Sequence, residues 1–382
     1  MRRDNDRFKK GRMLVKIAEV KTFLVNTDRQ NWLFVKVITE AGLYGWGEAS
    51  VEGQEKAVEA CIHTLAARSV IGEDPLDVEK IWRKMYHHGF WKGGYVHMSA
   101  ISGIDQAIWD ILGKYFKVPT YKLLGGQVRD KVRTYTHAYG KDIGEVAKHY
   151  CYDLGFAGVK TGSRQSDPAE LDETLNAIRS AIGDKKEIMT DSGGIFGPAD
   201  AIRRVEVAKK YKLFFFEEPV APENPEEYKR VRAEAGSTPL AAGERTYSRF
   251  DGRLLIENQL IDHYQPDICH CGGITEIRRM AAYAETYHIK FAPHNPNGPV
   301  ATAASIAVAA ATHNFSILEF HSGVYNRSDL YDFDLTARDG YFSLPERPGL
   351  GIELDESKFA EYPYIENQYT GQYTEDGSVR DI

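Results

Sequence analysis

Three acidic residues close three short apolar runs at nearly even intervals along the chain: Asp191, Glu217 and Glu244. The intervals are 26 and 27 residues, which is the length of one strand, one helix and two short loops. The carboxyl ends of successive parallel strands converge on one rim of a βα barrel, so the three carboxylates are expected to meet there. With no matching lysine beside them, they would repel one another unless a hard divalent cation lay between them. The spacing therefore predicts an oxygen-only Mg²⁺ site.

Polar groups also stand at the ends of the other expected strands. In chain order they are His137 with Tyr139, Lys160, Asp191, Glu217 with Glu218, Glu244 with Arg245, Asp267, His294 and Glu319. A stability role alone would not require a functional group at almost every strand end, because the opposite rim would serve stability equally well. This distribution indicates an active site.

Asp267 and His294 end consecutive expected strands, so their side chains can be neighbours. A carboxylate bonded to an imidazole fixes its tautomer and raises its basicity, which produces a general base near neutral pH. A structural histidine held by a carboxylate is the better interpretation of an isolated pair. Beside three metal-binding carboxylates, the general base is favoured.

Eight β-rich runs position these groups between residues 132 and 320. They are VRTYTHAYG, AGVKTG, EIMTDS, LFFFEEP, PLAAGE, IDHYQPD, IKFAPH and FSILEF, and helix-like stretches such as PAELDETLNAIRSAI follow the middle ones. This alternation predicts an α/β fold with a (β/α)8 barrel of the TIM type and an active site at the strand carboxyl ends. A doubly wound sheet is the structural alternative, but no Gly-rich phosphate turn follows the first strand.

Periodicity divides the 382 residues into four segments. Residues 1–12 are basic and have neither an apolar core nor a cleavage site, so we expect a disordered leader and not a secretory signal. Residues 13–130 begin with alternating strands, turn at ITEAGLYG and continue as helices, which predicts an α+β capping domain. The barrel is expected over 131–325, and residues 326–382 form a tail that returns to the capping domain.

Bulk composition excludes several classes of protein. The net charge of −7 and the pI near 6.0 argue against nucleic acid or an anionic membrane as partner. No apolar stretch approaches the roughly 18 residues that a membrane helix requires. Four cysteines suggest a reduced, cytoplasmic protein. Two of them, Cys269 and Cys271, flank His270, but no second Cys/His pair lies nearby, so this triplet is expected to be structural or incidental.

A set of motifs spread over nearly the whole length resembles one known family. The motifs are GWGEAS, SGIDQAIWD, the three carboxylates, QPD…CGGITE, APHNPNGP and PGLGIE. Together they resemble the enolase superfamily, in its mandelate racemase subgroup, and most closely the acid-sugar dehydratases that act on galactonate-like aldonates. The resemblance implies a modified barrel of the (β/α)7β type, with a cap built from the N-terminal segment and the C-terminal tail. It also implies a homo-oligomer, as a dimer, tetramer or octamer.

The resemblance assigns the central chemistry to five of the strand-end residues. Asp191, Glu217 and Glu244 would hold one Mg²⁺ per subunit. His294, oriented by Asp267, would take the proton alpha to the substrate carboxylate, and the metal would offset the charge of the enediolate that forms. A Lys or His base acting with Mg²⁺ is the established pattern of this superfamily.

Further residues would hold the substrate. Glu319 resembles the family's hydrogen-bond donor to the substrate carboxylate, and to donate it must keep its proton, so its pKa is expected to be raised. An ordinary salt bridge is the alternative for Glu319. Lys160 matches a family lysine that orients the same carboxylate. Contacts with the rest of the substrate are expected from Arg245, His137, Tyr139 and Asn295, although Arg245 has a neighbouring acid as its alternative partner.

The chain departs from the family at two strand ends, where glycines replace acid–base residues. Gly162 stands where many members carry a second lysine, a base on the opposite face, and Gly193 stands where galactonate-type dehydratases carry a histidine acid. Racemisation needs bases on both faces, so these absences disfavour it. His294 could return its proton to the departing hydroxyl, or the acid could be His137, Tyr139 or Lys160.

The leading interpretation is an Mg²⁺-dependent dehydratase that converts a sugar acid, such as galactonate, gluconate or arabinonate, into its 2-keto-3-deoxy product. A one-base epimerase or lactone cycloisomerase, and a catalytically silent barrel, are the alternatives. Substrate specificity is expected in three capping-domain loops, residues 25–32, 48–54 and 87–97, the last of which could close as a lid.

Overall fold

The computed structural model describes residues 16–87, 89–164, 167–322, 327–367, 372–373 and 376–380. The expected leader, residues 1–12, and His88 of the expected lid loop lie outside the described residues. The expected boundaries of the segments stay predictions. No helix within these ranges is both long and apolar enough to cross a membrane.

The capping domain begins with an antiparallel meander. Its strands are β1 (Ile17–Asn26), β2 (Asn31–Thr39) and β3 (Tyr44–Glu48), paired in the order β1-β2-β3. The turn after β2 lies at the expected site, where Gly42 adopts a φ of 79° and donates its N–H to Thr39 O at 2.9 Å. Four helices follow: α1 (Glu55–Leu65), α2 (Val78–His87), α3 (Tyr95–Phe116) and α4 (Thr120–Leu123).

All eight expected barrel strands are present and parallel. They are β4 (Lys131–His137), β5 (Gly158–Gly162), β6 (Glu187–Asp191), β7 (Phe215–Glu217), β8 (Leu240–Ala242), β9 (His263–Tyr264), β10 (Lys290–Phe291) and β11 (Leu318–Glu319). They pair in the order β10-β9-β8-β7-β6-β5-β4-β11. A parallel bridge between Phe291 and Phe315 joins β10 to the segment that leads into β11, which closes the barrel. The predicted fold class, a TIM-type barrel with an α+β cap, is confirmed.

In the described part of the chain, seven helices lie between these strands, and several of them begin at residues that favour the first turn of a helix. They are α5 (Ile143–Lys148), α6 (Pro168–Ile182), α7 (Pro198–Ala208), α8 (Pro225–Ala235), α9 (Arg253–Glu257), α10 (Gly273–Glu285) and α11 (Pro299–Ala311). Four of them begin with proline, whose fixed φ suits the first helical position. Large and small apolar side chains fill the barrel interior, so it is a packed core with one open rim; they include Tyr135, Met189, Phe215, Ala241, Ala292 and Ile317.

The C-terminal tail contacts the capping domain and pairs one of its strands with barrel strand β4. Its strands are β12 (Tyr331–Asp332), β13 (Tyr341–Ser343), β14 (Glu353–Leu354), β15 (Gln372–Tyr373) and β16 (Val379–Arg380). The ring of Phe359 lies 5.2 Å from the ring of Phe23, 5.7 Å from that of Phe34 and 6.2 Å from that of Trp46. The tail therefore contributes to the aromatic core behind the meander.

The SGIDQAIWD motif on α3 ties the cap to the barrel and to the tail. Asp105 accepts hydrogen bonds from Thr275 N at 2.9 Å and Thr275 Oγ1 at 2.5 Å, at the start of α10. Asp110, further along α3, accepts hydrogen bonds from Trp46 N at 2.9 Å and Leu350 N at 2.7 Å. Both carboxylates are fully buried. These acidic residues of the motif have a structural role.

Glu48, the last residue of GWGE, also ties the cap to the barrel, next to the loop that carries His294. Its carboxylate accepts from Gly298 N at 2.7 Å and Ala301 N at 3.0 Å, and so caps the positive end of α11. Ser50 Oγ donates a third bond at 2.8 Å. Burial outweighs these bonds and raises the pKa of Glu48 from 4.5 to about 7.

We expect Glu48→Gln to change how stability depends on pH. Between pH 4.5 and 7 the folded wild type holds a proton on Glu48 that the unfolded chain releases, so stability falls as the pH rises through this window. Relative to Glu48→Gln, the wild-type free energy of unfolding should fall by roughly 3 kcal/mol across it. Urea unfolding at several pH values measures this. Glu52→Gln, on the exposed loop nearby, is the control, and parallel pH curves for wild type and Glu48→Gln would contradict the prediction.

Candidate active site

The register of the barrel sheet brings the predicted groups to one rim. Asp191 is the paired neighbour of Gly162 on one side and of Glu217 on the other. Glu244 lies two residues beyond β8, after Gly243, whose φ is 137°. A side chain at position 243 would come within 2.7 Å of the Tyr264 ring, so only glycine fits the turn that presents Glu244.

Lys160 lies among the carboxylates, which corrects one premise of the sequence analysis. Its Nζ donates to both oxygens of Glu217, at 2.9 and 2.8 Å, and lies 2.7 Å from Glu319 Oε1 and 3.9 Å from Asp191 Oδ2. The expectation that no lysine matches these carboxylates was wrong. Lys160 points into the barrel from β5 and reaches across it to β7 and β11, a contact that sequence spacing does not reveal.

The charge state of Glu319 is also opposite to the expected one. Burial alone would raise its pKa, but Lys160, His294 and the hydrogen bond from His137 hold the pKa of Glu319 well below its usual range. Burial likewise opposes the charge on Lys160, yet Glu217 and Glu319 raise the pKa of that ammonium well above its usual range. Glu319 is therefore an ionised acceptor in this structure, and the predicted raised pKa was wrong.

The Asp267–His294 pair is formed as predicted. The two residues face each other across a parallel bridge, and His294 Nδ1 donates to Asp267 Oδ2 at 2.7 Å. Asp267 is fully buried and accepts further bonds from Cys269 N at 2.6 Å and from Asn297 Nδ2 at 3.0 and 2.8 Å. Burial opposes its charge, but His270, His294 and the backbone N–H of Cys269 lower the pKa of Asp267. An ionised Asp267 fixes the His294 tautomer, with Nε2 directed away from it.

Nε2 of His294 points toward the carboxylate cluster. It lies 3.4 Å from Glu244 Oε2 and 3.9 Å from Glu319 Oε2. Burial would lower the pKa of His294, but Glu244, Glu319 and Asp267 raise it well above its usual range. The imidazole thus stands among the acids with one nitrogen anchored and the other available for proton transfer.

A second histidine lies on the far side of Glu319. His137 Nε2 is 2.5 Å from Glu319 Oε1, and its Nδ1 is 2.8 Å from the Tyr139 hydroxyl. The His321 ring stacks on His137 at 4.2 Å between centroids. Burial lowers the pKa of His137 and raises the pKa of Tyr139 to about 12. His321 was not predicted from the sequence, although it lies two residues beyond Glu319, the last residue of β11.

The three carboxylates predicted to bind metal have suitable donor atoms, but two of them interact with basic side chains in this structure. Burial raises the pKa of Glu217 well above its usual range and that of Glu244 to about 7, and nearby carboxylates, including Asp191, contribute to both shifts. A hard divalent cation would relieve this repulsion through ligands of the kind it prefers. In the part of the chain that the structure describes, however, no three Asp, Glu, His or Cys side chains are gathered closely enough to hold a metal. Glu217 is bonded to Lys160 and Glu244 lies against His294. These residues therefore suit Mg²⁺ by the chemistry of their donor atoms, and they would have to leave their present partners to bind it.

Two predicted substrate contacts have other partners here. Arg245 pairs with the buried Glu218, with Nη2 2.5 Å from Oε2, and also donates to Gly193 O at 3.0 Å. Asn295 donates its backbone N–H to Glu319 Oε2 at 2.9 Å, and its fully buried amide donates to Thr302 Oγ1 at 3.0 Å. Asn295 thus holds Glu319 in place, and its role toward a substrate stays a prediction.

A neighbouring side chain fills the space above Gly193, and another borders the space above Gly162. Gly193 has a φ of 59°, and an added Cβ would meet Arg164 Nη2 at 2.2 Å. At Gly162 an added Cβ would lie 4.0 Å from Cε1 of Tyr139. Arg164 was not predicted as a site residue, because it lies two residues beyond β5 with no distinguishing motif.

The Cys269–Cys271 triplet has the structural character that was expected. Both cysteines are buried free thiols, and burial raises the pKa of each well above its usual range. The backbone N–H of Cys269 orients Asp267, and His270 Nδ1 lies 3.1 Å from Ser99 Oγ on α3. The triplet therefore helps to hold Asp267, the residue that orients His294.

The capping loops approach this rim. Gln30 Nε2 lies 3.4 Å from Pro296 O, beside the His294 loop. Trp32, Asn297 and His321 are among the residues that line a cavity of about 460 Å³ between the cap, the barrel and the tail. In the expected lid loop, Phe90 and Trp91 are each 88% exposed, so neither is packed in the cap core. The roles of these loops in specificity stay predictions.

Comparison with known proteins places this barrel in the enolase superfamily. The family profile "Mandelate racemase / muconate lactonizing enzyme, N-terminal domain" matches residues 12–125, and "Enolase C-terminal domain-like" matches residues 142–358. The chain belongs to the mandelate racemase/muconate lactonizing enzyme family, as its motifs predicted.

Its relatives include dehydratases of sugar acids. The D-galactonate dehydratase of Xanthomonas oryzae pv. oryzae (strain PXO99A) is 41% identical over 342 residues, which are 85% of this chain and 89% of the relative. That of Ralstonia pickettii (strain 12J) is 39% identical over 348 residues, with the same coverage. Among solved structures, an enolase from Agrobacterium radiobacter with bound Na and L-malate superposes with a TM-score of 0.89 at 31% identity, over 96% of this chain and 99% of that one.

Proposed function

We propose that this protein removes water from an aldonate, such as galactonate, gluconate or arabinonate, to form the 2-keto-3-deoxy acid. It is a carbon–oxygen lyase, an acid-sugar dehydratase, as its D-galactonate dehydratase relatives indicate. The observation that carries the proposed mechanism is the Asp267–His294 pair, in which Nε2 of His294 faces the carboxylates of the rim. Support for a hydroxy-acid substrate also comes from the superfamily structure that binds Na and L-malate.

The chemistry requires a base held beside a group that stabilises negative charge. A proton alpha to a carboxylate is weakly acidic because its removal places two negative charges on one enediolate. Mg²⁺ held by Asp191, Glu217 and Glu244 would offset those charges as they develop. His294 Nε2 would take the proton while Asp267 keeps Nδ1 protonated and the ring oriented. Lys160 would use its ammonium to hold the substrate carboxylate.

The proposed function also includes a metal content, an oligomeric state and a location in the cell. We propose one Mg²⁺ per subunit, a homo-oligomer (dimer, tetramer or octamer) and a cytoplasmic location. Small-molecule acids are its proposed partners, and the acidic net charge of −7 disfavours nucleic acid and anionic membranes.

A substrate screen tests the proposed reaction. Purified protein with Mg²⁺ is incubated with C4–C6 aldonates and aldarates, and 2-keto acid is detected with semicarbazide. We expect keto acid from at least one aldonate, and we expect EDTA to abolish the signal and added Mg²⁺ to restore it. A signal that survives EDTA would contradict the metal requirement. Silence across the library would favour the one-base epimerase, the lactone cycloisomerase or an inert barrel.

A further inference from the structure

Tyr139 lies on the opposite side of Glu319 from His294. One carboxylate oxygen, Oε2, lies 3.9 Å from His294 Nε2. The other, Oε1, lies 2.5 Å from His137 Nε2, and the Nδ1 of that ring lies 2.8 Å from the Tyr139 hydroxyl. Glu319 therefore separates two groups capable of proton transfer, an imidazole on one side and a phenol on the other.

The Tyr139 ring also lies beside Gly162. This glycine stands where many family members carry a lysine that serves as the base on the opposite face of the substrate. The Cε1 atom of this ring is 4.0 Å from the position that a Cβ on Gly162 would take. Among the described residues, it is the one heavy atom within 4 Å of that position, apart from Gly162 and its chain neighbours. Gly162 is the paired neighbour of Asp191, so this space opens onto the rim of the active site. The phenol of Tyr139, two residues beyond the end of β4, thus borders the space that a longer side chain on β5 would fill.

Several contacts hold the phenol in this position while leaving it accessible. His137 is fixed by Glu319 at one nitrogen and by stacking on His321 at 4.2 Å. Tyr139 itself is 50% exposed, although its hydroxyl is bonded to His137. A half-exposed phenol whose hydroxyl is held by a hydrogen bond suits proton transfer to a bound substrate.

We propose that Tyr139 is the acid that protonates the departing β-hydroxyl, and that His137 is the residue that positions it. This inference rests on the proposed dehydration. His294 Nε2 takes the α-proton and the electron pair of that C–H bond forms the enediolate. The enediolate then expels the β-oxygen as its C–O bond breaks, and that oxygen takes the Tyr139 proton and leaves as water. The enol tautomerises to the 2-keto acid, His294 releases its proton to solvent, and the Tyr139–His137 pair regains one from solvent.

The test compares two leaving groups in wild type and Tyr139→Phe. With the best aldonate, which loses hydroxide, we expect kcat of Tyr139→Phe to fall by about 10²- to 10³-fold. With the 3-deoxy-3-fluoro analogue, fluoride leaves without a proton, and we expect less than about a tenfold loss by the same reasoning. His137→Asn should show the same selective loss to a smaller degree. Tyr283→Phe, at the far side of α10, is the matched control.

Exchange of the α-proton in D₂O shows whether the rest of the site is intact, and we expect Tyr139→Phe to retain it. Equal losses on both substrates, or loss of exchange together with dehydration, would overturn the proposal, because the phenol would then serve structure or substrate binding. Unchanged kcat on the aldonate would overturn it as well. A wild type that forms no keto acid would overturn the proposed function itself, and the acid role of Tyr139 with it.

Discussion

His294→Asn should abolish dehydration while the protein stays folded. Asparagine can still donate to Asp267, but it cannot accept the α-proton, so we expect kcat for keto-acid formation to fall by at least about 10³-fold. Exchange of the substrate α-proton with D₂O should be lost to the same extent, because both reactions begin with the same proton transfer. Continuous keto-acid assays and proton NMR in D₂O measure the two effects.

The control for this variant is His313→Asn. His313 is exposed and pairs with Glu285 on α10, so its loss should leave both rates unchanged. If His294→Asn retained α-proton exchange, another residue would be the base. Matching circular dichroism spectra of the two variants would show that lost activity does not reflect lost folding.

Lys160→Met should have the largest effect on stability of the substitutions at the rim. Lys160 is fully buried and its ammonium bonds both oxygens of Glu217 and lies 2.7 Å from Glu319. Methionine fills a similar volume but leaves two buried carboxylates without their cation, at a cost of about 3–5 kcal/mol. Urea unfolding of metal-free protein in EDTA measures the loss.

The double variant Lys160→Met/Glu217→Gln tests the cause of that loss. Neutralising one of the two stranded acids should restore part of the stability, since the loss comes from unpaired charge and not from packing. Lys141→Met, on an exposed loop, is the control. An unfolding midpoint for Lys160→Met equal to that of the wild type would show that the pair does not contribute to stability.

The sequence predicted the barrel well because each strand carries its own local signal. Apolar runs ended by a polar residue, followed by Pro or a helix cap, recur through the chain, and all eight predicted strands are present. The Asp267–His294 contact was predictable too, because consecutive parallel strands end side by side. Both inferences depend on nearest neighbours in the sheet.

Contacts across the barrel could not be predicted in this way. Lys160 reaches Glu217 two strands away and Glu319 on β11. These long-range contacts lower the pKa of Glu319 and raise that of Lys160. For this reason the expected protonation of Glu319 was wrong. Arg164 likewise fills the space above Gly193, and Tyr139 borders the space above Gly162, contacts that spacing along the chain does not encode.

The proposed dehydration starts at the carbon next to the substrate carboxylate. The reaction of an active aldonate with wild-type protein and Mg²⁺ in D₂O, followed by proton NMR, tests this starting point. We predict a 2-keto-3-deoxy acid with deuterium at C3, introduced when the enol takes a solvent hydron. Deuterium at C2 of an epimer or a lactone, with no keto acid formed, would contradict the claim and favour a one-base isomerase.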